Sequence, residues 1–381
     1  MTGSLQKKNG KYYAVINTYE NGKRKQKWID TGLAVKGNKT RAEKFLRDEI
    51  SRYEAISGTV QSDTLLCDYA RYWLESRKGK IDIVSYESYE KLLDSDICPY
   101  FKESKTKLND VNVKTVQEYF DYKSKYGRKK DNTGLSASTL KKHKNVLSQV
   151  LKCAAKEGYI PSNPCQYVEL PKVEQYEANF LTNEQASAML SAVKGERLYP
   201  ILLIATCYGM RRSEICGLQW DAIDFVNNTV TVKRTMVKQK TLVIKNSTKT
   251  ASSHRTYPLL PIIKQELLRI KDEQEENRRF FGKAYIESNQ VFTWEDGHWI
   301  VPDYVTVKFQ ELLRKYDLPV VRLHDLRHSC ASIMLSAGMQ LKDVQEWLGH
   351  SDISMTANVY GHLDDTRKKK VADEISELLT F

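Results

Sequence analysis

Residues 323–338 read LHDLRHSCASIMLSAG, and the spacing within them decides the fold of the C-terminal part of the chain. A helix turns about 100° per residue, so one starting near Leu323 brings His324, Arg327, His328 and Ala331 to within little more than a quarter-turn of one another. Leu326, Cys330, Ile333 and Ala337 fall on the opposite side. The expectation is a helix with one buried face and one face offering a histidine and an arginine to a cleft, where the small Ala331 leaves room. Gly338 supplies its stop. His324 and His328 also have the i, i+4 spacing of a metal pair, as in HExxH. Asp325 stands where that motif carries its glutamate, and the cation of Arg327 on the same face opposes metal binding, so no metal is expected.

Outward from this helix, the same half of the chain holds Arg211 in GMRRSE, Lys249 in STKTASSHR, His350 in WLGH and Tyr360 in NVYGH. Taken singly these are weak signals, since an arginine in a charged stretch is usually solvated and Tyr360 is one of 22 tyrosines. Together they suit phosphoryl transfer. Its transition state spreads negative charge over the non-bridging oxygens, so the protein mainly supplies positioning and cationic donors. Arginine donates a planar fork to phosphate and keeps its charge, while a lysine can hold a proton for a departing oxygen. A tyrosine oxygen, with an ordinary pKa of about 10, becomes a nucleophile when nearby cations favour the phenolate. No GxxxxGK(S/T) motif is present, and this chemistry requires no cofactor.

In its order, GMRRSE, then a lysine between expected strands, then HDLRH, then LGHSDISMTANVYGH, the chain resembles the tyrosine recombinases, or phage integrase family. The resemblance spans most of the C-terminal domain. It implies that Arg211, His324 and Arg327 bind the phosphate, that Lys249 in the turn of a β-hairpin is the general acid, and that His350 assists. Tyr360 would attack and form a 3′-phosphotyrosine without metal. Glu214 matches the supporting acidic position, with a plain helix-start carboxylate as the other reading. Arg212 and His328 match no catalytic role; Arg255 and His362 are read as structural and Tyr257 as packing.

A chain of 381 residues suggests two or three domains, and 41% hydrophobic with 28% charged residues is the balance of a soluble globular protein. No apolar run of about 20 residues is present, and MTGSLQKKNG lacks the apolar core of a signal peptide. Seven widely spaced cysteines without a CxxC pair read as reduced thiols. A cytoplasmic bacterial protein is expected, nucleoid-associated when on DNA. The net charge of +12 favours a polyanionic partner. Residues 1–50 hold twelve Lys and Arg against five Asp and Glu, which leaves +7 of that total. There KYYAVINTYENGKRKQKWIDTGL reads as two strands turning at Asn21-Gly22, followed by a helix from about Thr40. This segment resembles the arm-binding domain of temperate-phage and conjugative-transposon integrases, with Tyr12, Tyr13, Lys23, Arg24, Lys25 and Lys27 on or near a DNA face. A merely solvated basic hairpin is the bland alternative.

The middle of the chain reads as helices from Thr64, over 85–93, 113–126 and 136–156. Lys141, Lys142 and Lys144 lie largely off the apolar stripe of the last and are expected to meet phosphates. Pro161, Pro164 and Pro171 mark a linker, and Thr182 caps the first helix of the next domain. The expected architecture is mixed α/β and multidomain. It comprises a β-sheet-plus-helix arm-binding domain (1–58), an all-α core-binding domain (62–160), a linker (161–176) and a mainly α catalytic domain with a small antiparallel sheet (177–381). An amphipathic helix at 364–379 either closes its own domain or, as the resemblance implies, packs on a neighbouring protomer. The resemblance implies a homotetramer on core and arm attachment sites, with an excisionase and a host DNA-bending protein as further partners and no membrane. The expected function is integration and excision of a mobile element. The alternatives are a housekeeping recombinase that resolves replicon dimers and a non-catalytic DNA-binding regulator.

Overall fold

Two Asn-Gly pairs stand near the N-terminus, and the structure turns on the one that the strand pattern does not advertise. Asn9 (φ 48°) and Gly10 (φ 73°) are both left-handed and join β1 (Thr2–Lys8) to β2 (Lys11–Glu20) as a two-residue hairpin. This computed structural model describes residues 2–20, 23–57, 63–128, 131, 133–173, 179–238, 240–246, 254–349 and 376, with backbone only at 18–20, 23–25 and 52–57. The chain divides into two units, residues 1–175 and 176–381.

In the first unit, β2 also pairs with β3 (Lys23–Ala34), giving an antiparallel sheet of order β1-β2-β3. The sheet thus has three strands where two were expected. TGSLQKK carries one large apolar residue and so no visible alternation, yet the edge strand needs only Gly3 and Leu5 to face inward. Helix α1 (Lys39–Ser57) covers that face: a Cβ at Gly3 would meet Ile50 and Leu46 at 2.9 and 3.0 Å. Glu20 stands opposite Lys23, as the expected second turn requires; Asn21 and Gly22 lie outside the described residues.

The helical part contains α2 (Leu66–Glu75), α3 (Ile83–Leu92), α4 (Cys98–Glu103), α5 (Val113–Tyr126) and α6 (Ala137–Lys156). Side-chain caps place the starts, with Asn112 accepting from Thr115 N at 3.1 Å and Ser136 from Thr139 N at 3.3 Å. Between α3 and α4 the chain widens into a π turn, Leu93–Ile97, just ahead of Pro99, which has no N–H to donate backwards. Trp73, Phe101, Tyr119, Phe120, Leu147 and Leu151 fill one core. The expected linker is in part packed structure. Cys165 and Val168 are buried in that core, Asn163 donates to Ser148 O at 3.0 Å, and Gln117 exchanges two hydrogen bonds with the Glu169 backbone. Prolines shape this stretch into a 3-10 turn on α6 rather than a free connection.

The second unit opens at α7 (Asn183–Ala192), whose capping box joins Thr182 and Gln185. Then follow α8 (Tyr199–Tyr208), α9 (Arg212–Cys216), strands β4 (Ile223–Asp224), β5 (Thr229–Thr231), β6 (Thr235–Lys238), β7 (Leu242–Lys245) and β8 (Thr256–Pro258), and α10 (Pro261–Phe281). The chain continues through α11 (Pro302–Lys315), α12 (Asp325–Ser336) and α13 (Leu341–Leu348). Helix α8, YPILLIATCY, is apolar all round because it runs through the core. The strands on either side of Lys249 are not a hairpin pair as expected. β7 pairs with β6, whereas β8 pairs with β5 in a β4-β5-β8 sheet. The helix expected at 364–379 lies outside the described residues except Ser376.

Candidate active site

Gly209 ends α8 with φ 58°, and a Cβ there would collide with the Leu348 side chain. Only glycine lets α13 come this close. Arg327 uses the approach. Its guanidinium donates to Gly209 O at 2.6 Å and to Leu348 O at 2.5 Å, and its side chain is buried. The arginine expected to face a cleft is buried and holds together two segments, one running into Arg211 and the other leading in sequence to His350. Periodicity fixed its face correctly; what covers that face depends on α8 and α13, which no local pattern reveals. Ala331 likewise packs with Val344 and Leu348 of α13 rather than leaving space. The stop at Gly338 is as expected. Gly338 N bonds Leu335 O at 3.1 Å and Met339 N bonds Met334 O at 3.1 Å, a Schellman pair.

Arg211 stands at the N-cap of α9, and Glu214 folds back to it. The buried carboxylate accepts from Arg211 N and from Arg211 Nη1, each at 2.8 Å. It also accepts from Arg255 at 2.7 Å (Nη2) and 3.2 Å (Nη1). Glu214 is therefore both helix-start carboxylate and support, and the two sequence readings merge. Burial alone would raise its pKa, but the hydrogen bond and charge of Arg255, then Arg211, outweigh that and hold it ionised. Removing one member of such a buried pair costs about 3–5 kcal/mol, because the other is left uncompensated. Arg211 keeps its Nε and Nη2 without a partner among the described residues.

Arg255 and Tyr257, expected as structural and packing residues, both stand beside this cluster. Arg255 is nearly buried, and its Nε donates to the Tyr257 hydroxyl. That hydroxyl donates to Trp347 O at 2.6 Å and lies 3.2 Å from Tyr208 O. The Tyr257 ring stacks on Tyr208 at 4.7 Å and meets Trp347 edge-on at 5.0 Å. Thus β8, α8 and α13 are bolted together next to Arg211. Burial, then the charges of Arg211 and Arg255, push the Arg327 pKa down to about 9, so the arginines feel one another. Arg212 lies outside the cluster, donating to Thr306 Oγ1 at 2.6 Å.

His324 keeps an exposed ring at the mouth of the site, 5.4 Å from the His328 ring and nearly perpendicular to it. Desolvation, then His328 and Arg327, lower its pKa to about 4, so it is neutral at pH 7. The buried Asp325 beside it pairs with Arg322 and starts α12, repeating the geometry of Glu214 with Arg211. Between about pH 6.5 and 4 the unfolded chain binds protons that folded His324 refuses, so stability is complete above that window and lost as pH falls through it. The melting temperature should therefore drop from pH 7 to 5, and less steeply in His324→Gln. Equal slopes in the two proteins would contradict this environment. The ring's exposure keeps the effect modest.

Lys249, His350 and Tyr360 lie outside the described residues, so the structure brings together three of the six expected catalytic groups. Among the expected DNA contacts, Lys141 and Lys142 are exposed on α6, while Lys144 donates to Val168 O at 2.7 Å. Tyr12 is buried because β2 alternates: Tyr12 shares the α1 side with Ile16, and only Tyr13 faces the other way. Lys27 is exposed opposite Ile16, and the side chains of Lys23, Arg24 and Lys25 lie outside the description. The sheet face away from α1 instead carries exposed Ser4, Gln6, Gln26 and Trp28, with Asn17 at its centre accepting from Gln26 at 3.2 Å.

A mainly helical unit with small antiparallel sheets and a cationic cluster has the equipment of an enzyme acting on phosphodiesters. Residues 179–367 match the phage integrase family, and residues 65–170 match the phage integrase SAM-like domain. The chain is 30% identical to a XerC-like tyrosine recombinase of Caldanaerobacter subterraneus subsp. tengcongensis, across 97% of each protein. It is 25% identical to the ICEBs1 integrase of Bacillus subtilis, over 77% of this chain and 78% of that one. The solved Tn1549 transposon integrase in complex with transposon right end DNA shares the fold, with a TM-score of 0.65 at 23% identity over 80% of this chain and 98% of that one. The chain belongs to the phage integrase family of tyrosine recombinases.

Proposed function

We propose that this protein is a site-specific DNA recombinase that integrates and excises a mobile element, cutting and rejoining strands through a phosphotyrosine at Tyr360. The observation that carries the reading is Arg211 held on a buried carboxylate with donors to spare, the Arg327 cation close enough to feel its charge, and neutral His324 at the mouth. Arg211 offers its unspent donors to the non-bridging oxygens, and neutral His324 gives or accepts a hydrogen bond there. Lys249 serves as the acid for the departing 5′-oxygen and His350 assists. The bond energy stays in the phosphotyrosine, so no nucleotide is consumed. The working form is a tetramer on two duplexes, with tail helices exchanged between protomers and with excisionase and DNA-bending proteins setting direction. It acts in the bacterial cytoplasm.

The N-terminal sheet supports an integrase over a replicon-dimer resolvase. A sheet backed by one helix, with amide and aromatic side chains on its other face, can enter a major groove and read base edges. We read residues 1–58 as the arm-site module, 62–160 as the core-binding domain, 161–176 as the connection and 177–381 as the catalytic domain. Deleting residues 1–60 should leave cleavage of a short core duplex intact and cripple recombination of full attachment sites. The intact protein should also lose affinity with salt more steeply, since the deleted part carries most of the surplus charge. Full-site recombination by the truncated protein at the intact rate would favour the housekeeping alternative.

A further inference from the structure

Arg255 lies 41 residues beyond Glu214 in the chain, and nothing in the reaction as read above uses it. Its side chain is 9% exposed, and its fork spans the two Glu214 oxygens. The same two oxygens take the Arg211 backbone N–H and one Arg211 guanidinium nitrogen. One carboxylate thus faces two guanidinium groups, and the trio carries one positive charge. Without Arg255, Glu214 and Arg211 would form a neutral pair, and the carboxylate would have lone pairs open to more of the Arg211 fork. Arg327 is no substitute, because its terminal nitrogens donate to the carbonyls of Gly209 and Leu348.

We propose that Arg255 is a positioning residue for the reaction: by occupying Glu214 it leaves Arg211 an unspent donor face and a net positive charge for the scissile phosphate. The inference rests on the reading of Arg211 as a phosphate-binding group. Arg255 also ties the strand that follows Lys249 in the sequence to the start of α9, and through the Tyr257 hydroxyl to the Trp347 carbonyl on α13. One side chain therefore sets the register of two segments that carry expected catalytic groups. It touches no substrate atom in this scheme and works through Glu214 and Tyr257.

The test is cleavage of a nicked core-site duplex at saturating protein, with DNA affinity and melting temperature measured alongside. Arg255→Met should cleave at least about tenfold more slowly, less than the loss of a direct oxyanion donor, with affinity nearly unchanged. The informative variant is the double Arg255→Met/Glu214→Gln. Removing the carboxylate's charge leaves Arg211 positive again, so the double should cleave faster than Arg255→Met alone. A residue that merely fills space predicts the reverse, since two lesions in one buried network compound. Arg255→Lys keeps the charge and should stay within about tenfold of the unaltered protein, which preserves the test if the methionine variant fails to fold. A double variant no faster than Arg255→Met, or a folded Arg255→Lys as slow as it, overturns the proposal. Tyr360→Phe on the same substrate separates the two levels. If it is inert while the Arg255 series is flat, only the role of Arg255 falls; if it cleaves, the phosphotyrosine reading falls first.

Discussion

Tyr360→Phe is expected to bind core-site DNA as tightly as the unaltered protein and to yield no covalent complex with a nicked substrate. The ring and its packing persist, and only the attacking oxygen is lost. The effect should be total, because no other group in the scheme can form the phosphodiester-conserving bond. The tyrosines beside the Arg211 cluster are poor substitutes. Tyr257 uses its hydroxyl on Trp347 O and Arg255, and burial raises its pKa; burial likewise pushes Tyr208 up to about 12. A buried phenol held in its neutral form is not a nucleophile. Trapping Tyr360→Phe covalently on DNA, with the linkage mapped to another tyrosine, would remove Tyr360 from the role.

Local chemistry was the legible part of this protein. Thr182 announces a helix start because a cap needs only its own turn, and the structure begins α7 beside it. Gly338 is legible for the same reason. Periodicity put His324 and Arg327 on one helix but left open that Arg327 lies buried on two carbonyls, since Gly209 and Leu348 are 118 and 21 residues away. The sequence marks Arg255 as structural and Tyr257 as packing but not their place beside Arg211, because their partners Glu214 and Trp347 are 41 and 90 residues distant. Edge strand β1 hid because a strand with one covered face and few large apolar residues shows no alternation. Its turn at Asn9-Gly10 has the letters of a tight hairpin, but without an alternating strand before it the pair carries no signal of its own.

Arg211→Lys should lower strand cleavage by orders of magnitude while leaving DNA affinity close to unaltered. Arg211 gives its backbone N–H and one terminal nitrogen to Glu214, which leaves Nε and Nη2 for a phosphate. A lysine has one ammonium for both tasks. Beside a buried carboxylate it would pair there, and the phosphate would lose both donors of the fork. Losing a single oxyanion donor typically costs about 10²–10³ in rate. Affinity should barely change, because binding draws on many backbone contacts spread along the duplex. The companion measurement is cleavage by the unaltered protein in EDTA. Arg211 and Arg255 on one carboxylate, with the Arg327 cation close by, supply the positive charge that a metal supplies elsewhere, so the cleavage step should proceed undiminished. Strict dependence of that step on a divalent ion would mean that the cluster does not neutralise the phosphate, and Arg211, His324 and Arg327 would have to be reassigned to binding DNA or holding the fold.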